Sequence, residues 1–98
     1  MTVSLASIPR WKPGVRLQRD ARHPQGVLLA PERVFELDEV AYSVLALIDG
    51  QRSLQAIVAC LATQFMAPPD DIARDVSTLI TDLHERGVIA LGDRSAVS

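Results

Sequence analysis

Three groups of residues in this 98-residue chain could do chemistry: one cysteine with two histidines, a cluster of aspartates, and five glycines. A Cys–His nucleophile pair needs Cys60 beside His23 or His84. His23 falls in a turn, His84 falls near the end of the last helix, and Cys60 sits mid-helix in an apolar stretch. Cys60 therefore reads as a small core or half-buried residue. A metal site needs three or four converging ligands. Asp70, Asp71 and Asp75 are close in sequence, but they read as negative charge at a helix start and a solvated face. His84, one turn before Gly87, suits a helix C-terminus electrostatically. Gly14, Gly26, Gly50, Gly87 and Gly92 are isolated turn or cap glycines and form no phosphate loop. The expectation is a protein with no catalytic residues, no metal and no cofactor, which leaves binding as its work.

Charge separates the two binding readings. Residues 1–33 hold six Arg or Lys and two acids, a net of +4, while residues 34–98 hold four Arg and ten acids, a net of −6. Three helices after a set of strands could be a winged helix-turn-helix whose third helix enters a DNA groove. Between Asp70 and Gly87, however, that helix carries five acids against Arg74 and Arg86. It would repel the phosphates that dominate DNA affinity. No nucleic acid is expected as a partner. The alternative is a module that binds an extended peptide along a free strand edge.

The elements that would build such an edge are legible. Residues 15–19 alternate apolar and polar, as a half-buried strand does. Arg22–Gly26 is a turn by its Pro and Gly. Residues 27–30 are continuously apolar, Pro31-Glu32 makes a tight turn, and residues 34–37 form a third strand. Short connections predict an antiparallel meander with the third strand at an edge. That edge contains no Lys or Pro to blunt it. Asp38 is a plausible N-cap for a first helix with Val40, Val44, Leu47 and Ile48 on its stripe, closed by Gly50. Ser53 caps a second helix with the stripe Leu54, Ile57, Val58, Leu61 and Phe65. Pro68-Pro69 opens a third, with Ile72, Val76, Leu79, Ile80 and Leu83, ended by Gly87. Residues 88–91 read as a short apolar strand or extended segment covering the core. The class expected is α+β, a three-stranded antiparallel meander followed by three helices, winged-helix-like.

Length allows one domain, residues 1–98. Residues 1–12 read as a flexible arm, with Trp11 as the exception, and residues 92–98 as a frayed tail. No apolar run approaches a membrane span, and residues 1–10 lack the pattern of a signal peptide. A cytoplasmic protein with no membrane partner is expected. The unprotected edge and the arm could also support a homodimer when no peptide is bound.

The segments Val27–Glu32, Leu37, and Val44–Leu54 followed by Ile57 resemble the pyrroloquinoline quinone synthesis protein D (PqqD) family. Residues 13–18 and the series Asp75, Val76, Leu79, Leu83 and Gly87 fit the same pattern, so the resemblance runs from about Ile8 to Leu91. It implies a winged-helix-like fold of three strands and three helices. It also implies a non-enzymatic peptide chaperone in pyrroloquinoline quinone (PQQ) biosynthesis. Such a chaperone binds the ribosomal precursor peptide of PQQ by strand addition and presents it to the radical S-adenosylmethionine (SAM) enzyme of the pathway. Related domains recognise leader peptides in other peptide-modifying pathways, which is the alternative, with a winged-helix DNA-binding protein behind it. Carried over by position, the peptide-binding residues are Val34, Phe35, Glu36 and Leu37 on the strand and Arg74, Asp75, Thr78, Leu79 and Asp82 on the third helix.

Overall fold

The computed structural model describes residues 4–93. Five strands and three helices follow one another: β1 (Ser7–Trp11), β2 (Arg16–Gln18), β3 (Val27–Ala30), β4 (Arg33–Glu36), α1 (Glu39–Leu45), α2 (Leu54–Phe65), α3 (Pro69–Glu85) and β5 (Ile89–Asp93). The expected meander is present as an antiparallel sheet in the order β2-β3-β4, which leaves β4 at an edge. Its register pairs Leu17 with Leu28 and Leu28 with Phe35. Side chains alternate across a strand, so these three share the face turned to the helices. Leu28 is fully buried there, with Leu17 and Phe35 packed against the same core.

The reading of residues 1–12 as a flexible arm is corrected from Ser7 onward. Ser7–Trp11 is a strand, paired antiparallel with Ile89–Asp93 through Ile8 with Gly92, Pro9 with Leu91 and Trp11 with Ile89. Pro9 hid it: proline breaks the expected pattern, but in a two-stranded ribbon it costs only one donor, and here it is buried. The ribbon continues through Lys12 N–H to Val88 O, and Leu5 O accepts from Gln55 N–H at the start of α2. Gly92 and Asp93 likewise belong to β5, and residues 94–98 of the expected tail lie outside the described residues.

The helix signals act where the sequence placed them. Asp38 Oδ1 accepts from Ala41 N–H at 2.7 Å, and Ser53 Oγ accepts from Ala56 N–H at 3.2 Å. Pro69 starts α3, with Asp70 and Asp71 in its first turn. α1 stops at Leu45, earlier than its stripe suggested. Leu47 and Ile48 continue it with bonds three residues back, to Val44 O and Leu45 O, and Ile48 still reaches the core. Cys60 is exposed, neither a core residue nor a half-buried one as expected. It lies off the Leu54, Ile57, Val58, Leu61 line, all of which are buried. Those four pack with Val44, Leu45, Val76, Ile80 and Leu83 in one core shared by the three helices, closed below by Val88 and Ile89.

Candidate functional site

The free edge of β4 and the adjacent face of α3 make the candidate site. Beyond β4, Leu37 N–H donates to Gly26 O at 3.2 Å. Antiparallel pairing alternates along a strand, so Phe35 and Arg33 also turn their backbone groups into the sheet. Val34 and Glu36 therefore turn theirs outward, offering two N–H donors and two C=O acceptors along the open side. Among the described residues no backbone partner outside the sheet reaches them.

At its start this edge is held against the C-terminal end of α3. Arg33, at the start of β4, donates from Nη2 to Arg86 O at the C-cap of α3. Arg86 donates in turn from Nε to both carboxylate oxygens of Asp82, at 3.1 and 3.0 Å. Both guanidinium groups lie over the Phe35 ring, at 5.4 and 5.8 Å from its centroid, within cation–π range. At the other end the chain passes from Glu36 to Asp38, which lines a groove of about 660 Å³ between α1, α2 and α3.

All five helix-side candidates, Arg74, Asp75, Thr78, Leu79 and Asp82, line that groove. The four strand-side candidates do not line it. Phe35 faces inward on the core, and Leu37 is half-buried with its N–H already bonded. Val34 and Glu36 point to the opposite face of the sheet from Phe35, and Val34 is 62% exposed. Their contribution to a bound strand is therefore backbone, and the groove supplies the side-chain contacts.

Residue-by-residue reading missed the opposite wall, built by Asp38, Val40, Ala41 and Phe65. Val40 and Phe65 belong to the helical stripes, yet they are 44% and 37% exposed. An apolar stripe cannot distinguish a residue that seals a core from one that lines an open cleft. Position held the only clue, because Val40 is in the first turn of α1 and Phe65 is the last residue of α2.

Charge in the groove is mixed. Asp82 is neutralised by Arg86, at 3.0 Å. Asp38 is spent partly on its cap. Arg74 and Asp75 form no ion pair among the described residues, and Thr78 donates its hydroxyl to Arg74 O at 3.0 Å. The two carboxylates held below their ordinary range lie elsewhere. Asp20 is lowered first by the Gln18 side-chain amide and Asp49 first by the Arg52 backbone N–H. No group of three or more His, Cys, Asp or Glu is placed to hold a metal ion among the described residues. His84 is exposed overall, with its Nδ1 3.1 Å from Ile89 O.

Comparisons with known proteins bear on this arrangement. The family model described as Coenzyme PQQ synthesis protein D (PqqD) matches residues 25–89. A PqqA binding protein of Xanthomonas campestris pv. campestris (strain B100) is 47% identical over 90 residues, covering 92% of this chain and 98% of its own. A PqqA binding protein of Rhizobium meliloti (strain 1021) is 38% identical over 89 residues, covering 91% of each chain. The solution NMR structure of the PqqD truncation of Methylobacterium extorquens PqqCD, described as a functional and stand-alone recognition element for ribosomally synthesised and post-translationally modified peptides, aligns with a TM-score of 0.79. Its identity is 37%, and the alignment covers 89% of this chain and 93% of that one. The crystal structure of PqqD from Xanthomonas campestris aligns with a TM-score of 0.55 at 47% identity, covering 87% and 94%. The α+β order, the open β4 edge and a match that spans most of the chain agree: this chain belongs to the PqqD family.

Proposed function

We propose that this protein is the peptide chaperone of PQQ biosynthesis in its organism, binding the PqqA precursor peptide as an added strand on β4. The carrying observation is the outward-facing backbone of Val34 and Glu36 beside an apolar groove walled by α3. Its relatives are named for binding PqqA, and its structural neighbour is described as a stand-alone recognition element. The peptide backbone pairs with Val34 and Glu36 while alternate side chains enter the groove at Leu79, Thr78, Val40 and Phe65.

The chain acts by binding and not by catalysis. It hands the peptide to the radical SAM enzyme of the pathway, in the cytoplasm, where a ribosomal peptide is made. Without peptide, the same open edge is available to a second copy of the chain, so peptide and self-pairing compete. No helix among the described residues is long and apolar enough to cross a membrane.

The test is amide chemical-shift mapping with 15N-labelled protein and PqqA peptide. Changes clustered on residues 33–38 and 71–83 are expected. Changes confined to residues 8–22 would place the binding surface on the basic N-terminal segment and overturn the site.

A further inference from the structure

The peptide's charge follows from the groove, given the strand-addition reading above. Three acids line the groove: Asp82 is paired with Arg86, while Asp38 and Asp75 have no cationic partner among the described residues. Asp38 and Asp75 are both exposed. Arg74 is the one cation lining the groove. At the start of β4, Arg33 donates to the Arg86 carbonyl oxygen and Arg86 is paired with Asp82.

An acidic peptide segment would meet repulsion from Asp38 and Asp75, and Arg74 alone would not compensate. Unpaired carboxylates flanking an apolar cleft favour apolar residues carrying positive charge. We infer that the peptide segment seated in the groove is apolar and cationic, placing a Lys or Arg side chain or the peptide's own terminal ammonium against Asp38 and Asp75. It follows that an acidic part of the peptide lies outside the groove.

The probe is PqqA peptide, titrated against the full chain and against Asp75→Asn and Arg74→Gln. Both positions are exposed, so the folds should be retained, and amide spectra confirm it. Exposed charge pairs are worth little each, so a two- to five-fold effect is expected in opposite directions. Asp75→Asn should weaken binding and Arg74→Gln should tighten it. Two modified peptides separate the sources of the cation. If N-acetylation reproduces the loss, the terminal ammonium is the group. If Lys→Gln or Arg→Gln in the peptide does so, it is a side chain.

Tighter binding by Asp75→Asn, weaker binding by Arg74→Gln, or no change in either would overturn the inference while the amides of Val34 and Glu36 still respond to peptide. If those two amides do not respond at all, strand addition itself fails and the inference falls with it.

Discussion

Arg33 and Arg86 are 53 residues apart in sequence, yet the Arg33 guanidinium donates to the Arg86 carbonyl oxygen. Two cations approach because neither is bare. Arg86 is held by Asp82, and the Phe35 ring lies under both guanidinium groups. The contact joins the start of the open strand to the last turn of α3. That spacing sets how wide a slot a bound strand would enter.

Replacing Arg33 with Ala should therefore loosen one end of the slot. Loss of one hydrogen bond of this kind costs about 1 kcal/mol. The residue is exposed, so the core should be unaffected. Peptide affinity should fall several-fold more than the small drop in urea midpoint accounts for. A Kd unchanged within error would mean that the slot is set by the core packing of Phe35 alone.

A second contact fixes the inner end of the sheet. Gly26 has φ +99°, and a Cβ built there would collide with the Cδ2–Cε2 edge of the Tyr42 ring. The same ring is stacked by Arg19, 3.9 Å from its centroid. Gly26 O also holds Leu37 N–H. Gly26→Ala should cost about 2–4 kcal/mol, from left-handed strain together with overpacking. Combining it with Tyr42→Ala should recover part of that loss, since the clash partner is gone. Urea unfolding of the two single variants and the double variant measures the coupling, and strict additivity would place the strain in the backbone alone.

What sequence could reveal follows from which forces are local. Caps are local, so Asp38 and Ser53 were readable from one residue and its neighbours. The meander was readable because Val27–Ala30 is apolar throughout and Pro31-Glu32 fits a tight turn. β1 was not, because its reason to be a strand lies at Ile89–Asp93, at the other end of the chain. The helix side of the groove carried over position by position. Its opposite wall did not, because Val40 and Phe65 match the buried stripe in type and spacing, and only the packing of three helices shows that they are left open.

Acid should act on stability through the loops. Asp49 Oδ1 accepts from Arg52 N–H at 2.8 Å and Gln51 N–H at 2.9 Å, in the connection between α1 and α2. These bonds, led by that from Arg52, hold its carboxyl below the ordinary carboxylate value. A folded-state pKa below the unfolded one means the unfolded chain binds the proton more readily. Stability from Asp49 is then fully present above the ordinary value and is lost as pH falls through the lower folded value. Asp20, lowered first by the Gln18 amide, acts in the same sense. Urea midpoints measured from neutral to strongly acid pH should decline in that window, and Asp49→Asn should make the decline shallower. An identical pH profile in Asp49→Asn would show that its hydrogen bonds carry no linkage.

Glu36→Pro tests the edge most directly, because the structure shows which way that N–H points. Leu37 N–H is bonded inward to Gly26 O, so the Glu36 N–H one residue earlier faces the open side and the hairpin does not use it. Proline there deletes an outward donor and places its ring where an incoming backbone must approach. The β3–β4 pairs at Phe35 and Arg33 should persist. With Val34 and Glu36 offering four outward groups, a bound strand gains about four hydrogen bonds at roughly 1 kcal/mol net each. Micromolar affinity requires about 8 kcal/mol, so the groove must supply the remainder. Removing one bond and obstructing a second should cost about 1–3 kcal/mol, roughly a five- to 140-fold loss of affinity by the same conversion. Amide spectra of the free variant report whether the hairpin survives. If the hairpin survives and PqqA peptide binds as tightly as before, the backbone of β4 is not what holds it, and the groove binds its ligand through side chains alone.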